Sequence, residues 1–235
     1  MSPDQLDRVL DHPLFCRLSR DRLTSHLRPL SVRRCTPGEP VAEPSPRCPA
    51  LHLVLSGRLQ MFDVTGSGHR IILDHVEPGG VDGLLPVAGQ RGHFTEATTV
   101  SEVVSIPRPA LDQLIADQPG LALNLLGMVG ARLRRSDDHL AWMCMRNPSQ
   151  RIAAQLLATS DQLATNAAVA WTPRVSHEVL ADLLGLRRET VTLHLVRLRR
   201  LGALSVESRR FRLNVRLLEA VRDTDGDERE LEFMR

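Results

Sequence analysis

Residues 185–202 read GLRRETVTLHLVRLRRLG, with five arginines, Arg187, Arg188, Arg197, Arg199 and Arg200, around a single acid, Glu189. Guanidinium forks suit phosphate oxygens and the paired acceptors on a guanine edge. A carboxylate repels a phosphate backbone and accepts only from a base donor such as the cytosine amino group. The mixture is what a surface needs if it holds a nucleic acid by its backbone and reads a base with its acid. At about 100° per residue a helix over this stretch turns Val191, Leu195 and Leu198 toward a core. Glu189, Leu193, Val196 and Arg200 then fall on the opposite face, with Thr192 and Arg197 beside them. Glu189 has no cation four residues on, because Leu193 stands there; besides base reading, compensation of the helix dipole stays open as its role.

Such a helix must be held by others. Just before it, VSHEVLADLL offers Ser176 as a cap and Val179, Leu180, Leu183 and Leu184 as an apolar face. Gly185 permits a sharp turn, Leu186 plugs it, and small Ala181 allows a close approach. This is the pattern of a helix-turn-helix. Beyond it, ALSVE and FRLNV predict a two-stranded wing, with Arg209 and Arg210 at its tip placed for phosphate.

Charge follows the same division. The net charge of the whole chain is +2, but residues 147–222 hold 12 arginines against 6 acids, and residues 1–146 hold 16 of each sign. Residues 223–235 carry 6 acids and 2 arginines. A basic module of this kind fits a polyanionic partner. A length of 235 residues at 42% hydrophobic content supports a real core and excludes wholesale disorder. No run reaches the roughly 18 apolar residues of a membrane span, and MSPDQLDRVLDHP is too polar for a signal peptide, so a cytoplasmic protein without a membrane partner is expected. Cys16, Cys35, Cys48 and Cys144 form no CxxC pair and read as reduced, structurally ordinary thiols.

Upstream, residues 3–10 and 19–28 show short helical periodicity. Between about residues 29 and 107 the runs LSVRRC, LHLVLSG, RLQMFDV, HRIILDHV, FTEATTV and EVVSI alternate with glycine, proline and serine, which predicts an antiparallel sandwich or small barrel. Pro109 opens a helix through Ala116, and Pro119 a longer one to about Met145. In the longer helix Ala122, Leu125, Val129, Leu133, Ser136, Leu140 and Met143 recur at spacings of 3 and 4, a seam suited to a dimer or to packing on the chain's own sheet. Asn147 and Pro148 then start a new helix. The expected fold class is α+β, with residues 1–118 a β-rich domain, 119–146 a dimerisation helix and hinge, 147–222 a winged helix-turn-helix domain and 223–235 an acidic tail.

A small β-domain, a long helix, the hinge RNPSQRIA and a winged motif containing RRETV, taken in this order, resemble the cyclic AMP receptor protein and fumarate/nitrate reduction regulator (CRP/FNR) family over about residues 8–220. The resemblance implies a jelly-roll domain that senses an effector, a homodimer paired along the long helix through Leu125, Val129, Leu133, Leu140 and Met143, and binding to palindromic double-stranded DNA beside RNA polymerase. It further implies that Arg188 and Glu189 contact bases, with Thr192, Leu193, Arg197, Arg200, Arg209 and Arg210 also on the DNA. Many members have an arginine where this chain has Leu193, and an apolar side chain there favours only something such as a thymine methyl. His194 also takes the place of an apolar residue.

In members that bind cyclic nucleotides a glutamate holds the ribose, an arginine the phosphate, and a serine or threonine follows. The matching stretch GVDGLLPVAGQRGHFTEA keeps Gly80, Gly83 and Arg91 but has Val81 for the glutamate and Gly92 for the hydroxyl. Losing such a contact costs about 1–3 kcal/mol, so cyclic AMP control of the usual kind is not expected. Asp82, displaced by one residue, points the other way in a strand; with Arg91, Ser136 and Asp137 it remains a candidate for another ligand. The cysteines do not form the family's iron-sulfur cluster. One of His52, His69, His75 and His93 could ligate haem. An enzyme of the cupin type would need clustered metal ligands, which these scattered histidines do not provide, so no catalytic residue is assigned.

Overall fold

The computed structural model describes residues 1–44, 49–83, 92–160, 168–172, 175–207 and 210–224. Two compact units divide the chain, Met1–Leu133 and Arg134–Arg235.

The first unit opens with α1 (Pro3–Leu10), started by a reciprocal capping box between Ser2 and Gln5, and α2 (Arg20–Leu27). Eight strands follow: β1 (Val32–Cys35), β2 (Pro40–Ala42), β3 (Ala50–Ser56), β4 (Leu59–Val64), β5 (Arg70–Val76), β6 (Val81–Asp82), β7 (Phe94–Ala97) and β8 (Ser101–Pro107). They form two antiparallel four-stranded sheets, ordered β1-β8-β3-β6 and β2-β7-β4-β5, the sandwich that the strand-rich texture predicted and the jelly-roll-like architecture that the resemblance implied. The six strand runs read from the sequence are β1, β3, β4, β5, β7 and β8. The pieces it missed, β2 and β6, have three and two residues, too short for any alternation to register.

Cys35, Val54 and Val103 from one sheet meet Val41, Leu59, Met61, Val76 and Ala97 from the other to form the inner core. Leu51 and Leu53 of β3, Val81, Val104 and Ile106 instead face Val9, Leu14, Phe15, Leu23, Leu111 and Leu114 of the flanking helical segments. Strand β3 is therefore covered on both sides, which explains why LHLVL shows so little alternation, and it directs His52 inward with Val54. Gly57, at φ +82°, turns β3 into β4 where an added Cβ would lie 2.4 Å from the Val100 carbonyl oxygen. Helix α3 (Arg108–Asp117) follows, then α4 (Gly120–Met143), whose 24 residues contribute to both units.

In the second unit, α5 (Pro148–Ala158) starts at Asn147, whose side chain accepts from the Ser149 N–H at 2.9 Å. Then come β9 (Val169–Trp171), α6 (His177–Leu184), α7 (Arg188–Arg200), β10 (Leu204–Glu207), β11 (Arg210–Asn214) and α8 (Val215–Asp223). The wing has three strands, ordered β10-β11-β9, rather than the expected two. Ile152, Leu156, Leu180, Leu184, Val191, Leu195, Leu198, Leu213, Leu218 and Val221 share one core, each contributing about 1.5–3 kcal/mol by burial. Among the described residues no single helix is long and apolar enough to cross a membrane.

Candidate nucleic-acid interface

The turn that aims α7 is built as its residue types dictate. Ser176 caps α6 by accepting from the Val179 N–H, and Gly185 takes the left-handed conformation at φ +59°. This allows the Leu186 N–H to reach back to the Ala181 carbonyl at 2.9 Å, and Leu186 packs against the core. A β-branched or bulky residue at 185 would be strained here.

Helix α7 then presents two different faces. Val191, Leu195 and Leu198 are buried as the periodicity required, and His194 is buried with them. Its Nδ1 lies 2.7 Å from the Ser149 hydroxyl, so the residue that broke the apolar pattern ties α7 to the start of α5. Arg188, Glu189, Thr192, Leu193, Val196, Arg197 and Arg200 are all exposed. Among the described residues Glu189 forms no ion pair, and at the first turn of a helix whose Arg187 cap makes no side-chain bond it faces outward.

Thr192 is less available than its exposure implies. Its hydroxyl donates to the Arg188 carbonyl at 2.9 Å and lies 3.0 Å from Nδ1 of His177. A carbonyl only accepts, so the single hydroxyl proton points to Arg188 and His177 supplies the N–H of the second bond. His177, the first residue of α6, was not singled out by its position in the sequence. It braces the recognition helix from the neighbouring one.

On the wing, Nε of Arg210 donates to the Thr172 carbonyl at 3.0 Å, so this arginine is anchored to its own chain. Arg209 lies outside the described residues.

The residues matched to an effector pocket are built into the fold. Gly80 accepts from the Val54 N–H and from Nε2 of His12 at 3.2 Å. Gly83, at φ +74°, passes so close to β3 that a Cβ would lie 2.3 Å from the Ala50 carbonyl oxygen. Val81 faces the helices and Asp82 the opposite side, as the one-residue displacement predicted. The carboxylate of Asp82 is engaged within the chain. It is fully buried, with Nε2 of His93 at 2.9 Å and the Thr95 hydroxyl at 2.6 Å taking one carboxylate oxygen each. Burial pushes this carboxyl up, but the bonds from His93, Thr95 and the Gly83 backbone outweigh it and hold Asp82 below the usual carboxylate range. Arg91 lies outside the described residues; Ser136 and Asp137 are exposed on α4.

Three of the four histidines named as haem candidates have ring partners within the chain. His52 shares a 2.8 Å hydrogen bond with Ser105, His69 a 3.0 Å bond with Ser67, and His93 is held by Asp82. Burial pushes His75 down. Among the described residues no three His, Cys, Asp or Glu groups converge as a metal site would require.

The expected seam residues of α4 differ in exposure. Leu125 packs against the core of the first unit, and Val129 and Met143 are half-buried. Leu123, Leu126, Leu133 and Leu140 are the exposed ones. Both 125 and 126 fit spacings of 3 and 4, and the fold uses one for its own core and leaves the other on the open face.

Residues 32–118 match the cyclic nucleotide-binding domain family, and residues 150–223 the Crp-like helix-turn-helix domain family. The chain is 31% identical over 173 residues to the CRP-like cAMP-activated global transcriptional regulator of Mycobacterium tuberculosis, covering 72% of this chain and 76% of that one. It is 30% identical over 180 residues to the nitrogen fixation regulation protein FixK of Azorhizobium caulinodans, covering 75% and 71%. The solved structure of FixK2 from Bradyrhizobium japonicum is similar with a TM-score of 0.69 at 24% identity, over 84% of this chain and 99% of that one.

Proposed function

The chain belongs to the CRP/FNR family of transcription regulators, and from that premise we propose that it acts in the cytoplasm as a homodimer on palindromic double-stranded DNA, with Arg188 and Glu189 as base readers. The observation that carries this reading is α7: one face is buried in the core, and the other presents Arg188 and Glu189 within a basic module. Pairing supports the palindrome, because a two-fold dimer sets its recognition helices on half-sites about one helical turn apart. The exposed Leu126, Leu133 and Leu140, seven residues apart along α4, are the apolar stripe on which a second copy would pack. RNA polymerase is the partner such a dimer would meet beside its site.

Control by cyclic AMP of the usual kind is not proposed. Val81 points into an apolar cluster, and the neighbouring acid, Asp82, has both oxygens occupied.

The test is band-shift titration against a palindrome recovered by selection from random duplexes. Arg188→Ala and Glu189→Ala should each weaken the selected site by about 1–3 kcal/mol, roughly fivefold to 150-fold, and relax the sequence preference at one position per half-site. Binding indifferent to both substitutions would overturn the assignment.

A further inference from the structure

Glu189, Leu193, Val196 and Arg200 follow one another at intervals of 4, 3 and 4 residues, and so form the centre line of the exposed face of α7. The two in the middle are apolar, with Leu193 56% and Val196 43% exposed. The core does not need them, because Val191, Leu195 and Leu198 supply the buried face. Beside them Thr192 offers a third apolar group. Its hydroxyl is occupied by the Arg188 carbonyl and His177, which leaves the γ-methyl as the part not tied within the chain. The apolar strip is bordered by Arg188, Arg197, Arg199 and Arg200, so whatever covers it must carry negative charge on both sides and an apolar group between.

Duplex DNA meets that description in its major groove. Between the phosphate backbones the base edges present donors and acceptors and a single kind of apolar group, the 5-methyl of thymine. Residues 193 and 196 are separated by about 4.5 Å along the helix, close to the roughly 3.4 Å between stacked base pairs. We infer that Leu193 and Val196 read thymine methyls on two neighbouring base pairs of each half-site, next to the position read by Glu189. This rests on the DNA-binding reading above and gives the substrate of that site a chemical class.

Uracil is the direct probe, since it keeps every hydrogen-bonding group of thymine and lacks only the methyl. The full-length protein is first used to select a palindrome from random duplexes, and each thymine of the half-site is then replaced by deoxyuridine in turn. The expected result is a loss of about fourfold in affinity per methyl at two adjacent positions and no loss at the other thymines. Leu193→Ala should abolish the thymine–uracil difference at one of these positions and Val196→Ala at the other, with circular dichroism confirming that each variant is folded. A selected site in which every thymine can become uracil without loss overturns this inference and leaves the proposed function standing, as does a difference that persists in both variants. If no sequence is selected at all, the DNA reading fails and this inference falls with it.

Discussion

Asp82 and His194 are polar residues buried among apolar neighbours, and each is tolerated because a partner reaches it. Neither partner was legible in the sequence. His93 and Thr95 lie 11 and 13 residues beyond Asp82, and Ser149 lies 45 residues before His194, so only the tertiary fold brings them together. The positions themselves were legible, since Asp82 sits one residue from where an acid was sought and His194 interrupts an apolar stripe. Replacing a member of either group should therefore cost stability without touching DNA contacts. Asp82→Asn is expected to lower the unfolding free energy by about 2 kcal/mol, because a buried acceptor loses its charge-assisted bonds. Ser149→Ala, which removes one buried bond to α7, should cost about 1 kcal/mol. Urea unfolding of the purified variants measures both, and an unchanged midpoint in either would show that its pair is not stabilising.

Elements were legible in proportion to how strongly one face is buried. Helix α7 could be placed because its core face repeats without ambiguity, and α6 because Ser176 and Gly185 mark its two ends. Strand β9, with three residues, gave too little pattern to be read. Helix α8 went unread despite a start signal, for Asn214 caps it by accepting from the Leu217 N–H at 3.3 Å. Helix α4 shows the limit of periodicity, because it has two apolar faces and the spacing alone cannot divide them. Its open face makes a prediction at this scale. Leu133→Glu combined with Leu140→Glu should convert a dimer to a folded monomer in sedimentation velocity and weaken binding to a palindrome far more than to a single half-site. Leu125→Glu, set against the core of its own unit, should instead unfold that unit.

At the scale of the whole molecule, proton uptake bears on the stability of the first unit. Burial pushes the imidazoles of His12, His52 and His75 below their ordinary range, and Asp82 also lies low. His12 illustrates why. Its Nδ1 accepts from the Leu14 N–H while Nε2–H donates to the Gly80 carbonyl, so a second ring proton would break the first bond. Groups with depressed folded values bind fewer protons folded than unfolded, so stability rises with pH. For the histidines the stabilisation is fully present above the unfolded value of about 6.5 and is lost as pH falls toward the lower folded values. The Asp82 contribution disappears only below about pH 4. Thermal unfolding should accordingly shift down by several degrees between pH 7.5 and 5.5, and His52→Gln should flatten part of that slope; a flat profile in the wild-type chain would contradict it.

Helix α8 bears on how the protein can be made. It packs on α5, and the amide of Gln150 donates to the carbonyls of Arg222 and Thr224 at 3.2 and 2.7 Å. The apolar face of α5 therefore waits for residues 215–224 before it is covered. On a ribosome, where the amino end emerges first, residues 1–133 can fold while the DNA-reading part is still incomplete. A stop codon placed just before Val215 would spare every residue proposed to touch DNA and still leave a nascent chain unable to close its core. Such a product would be an early target for proteolysis, and the cell would receive the first unit without a folded second one.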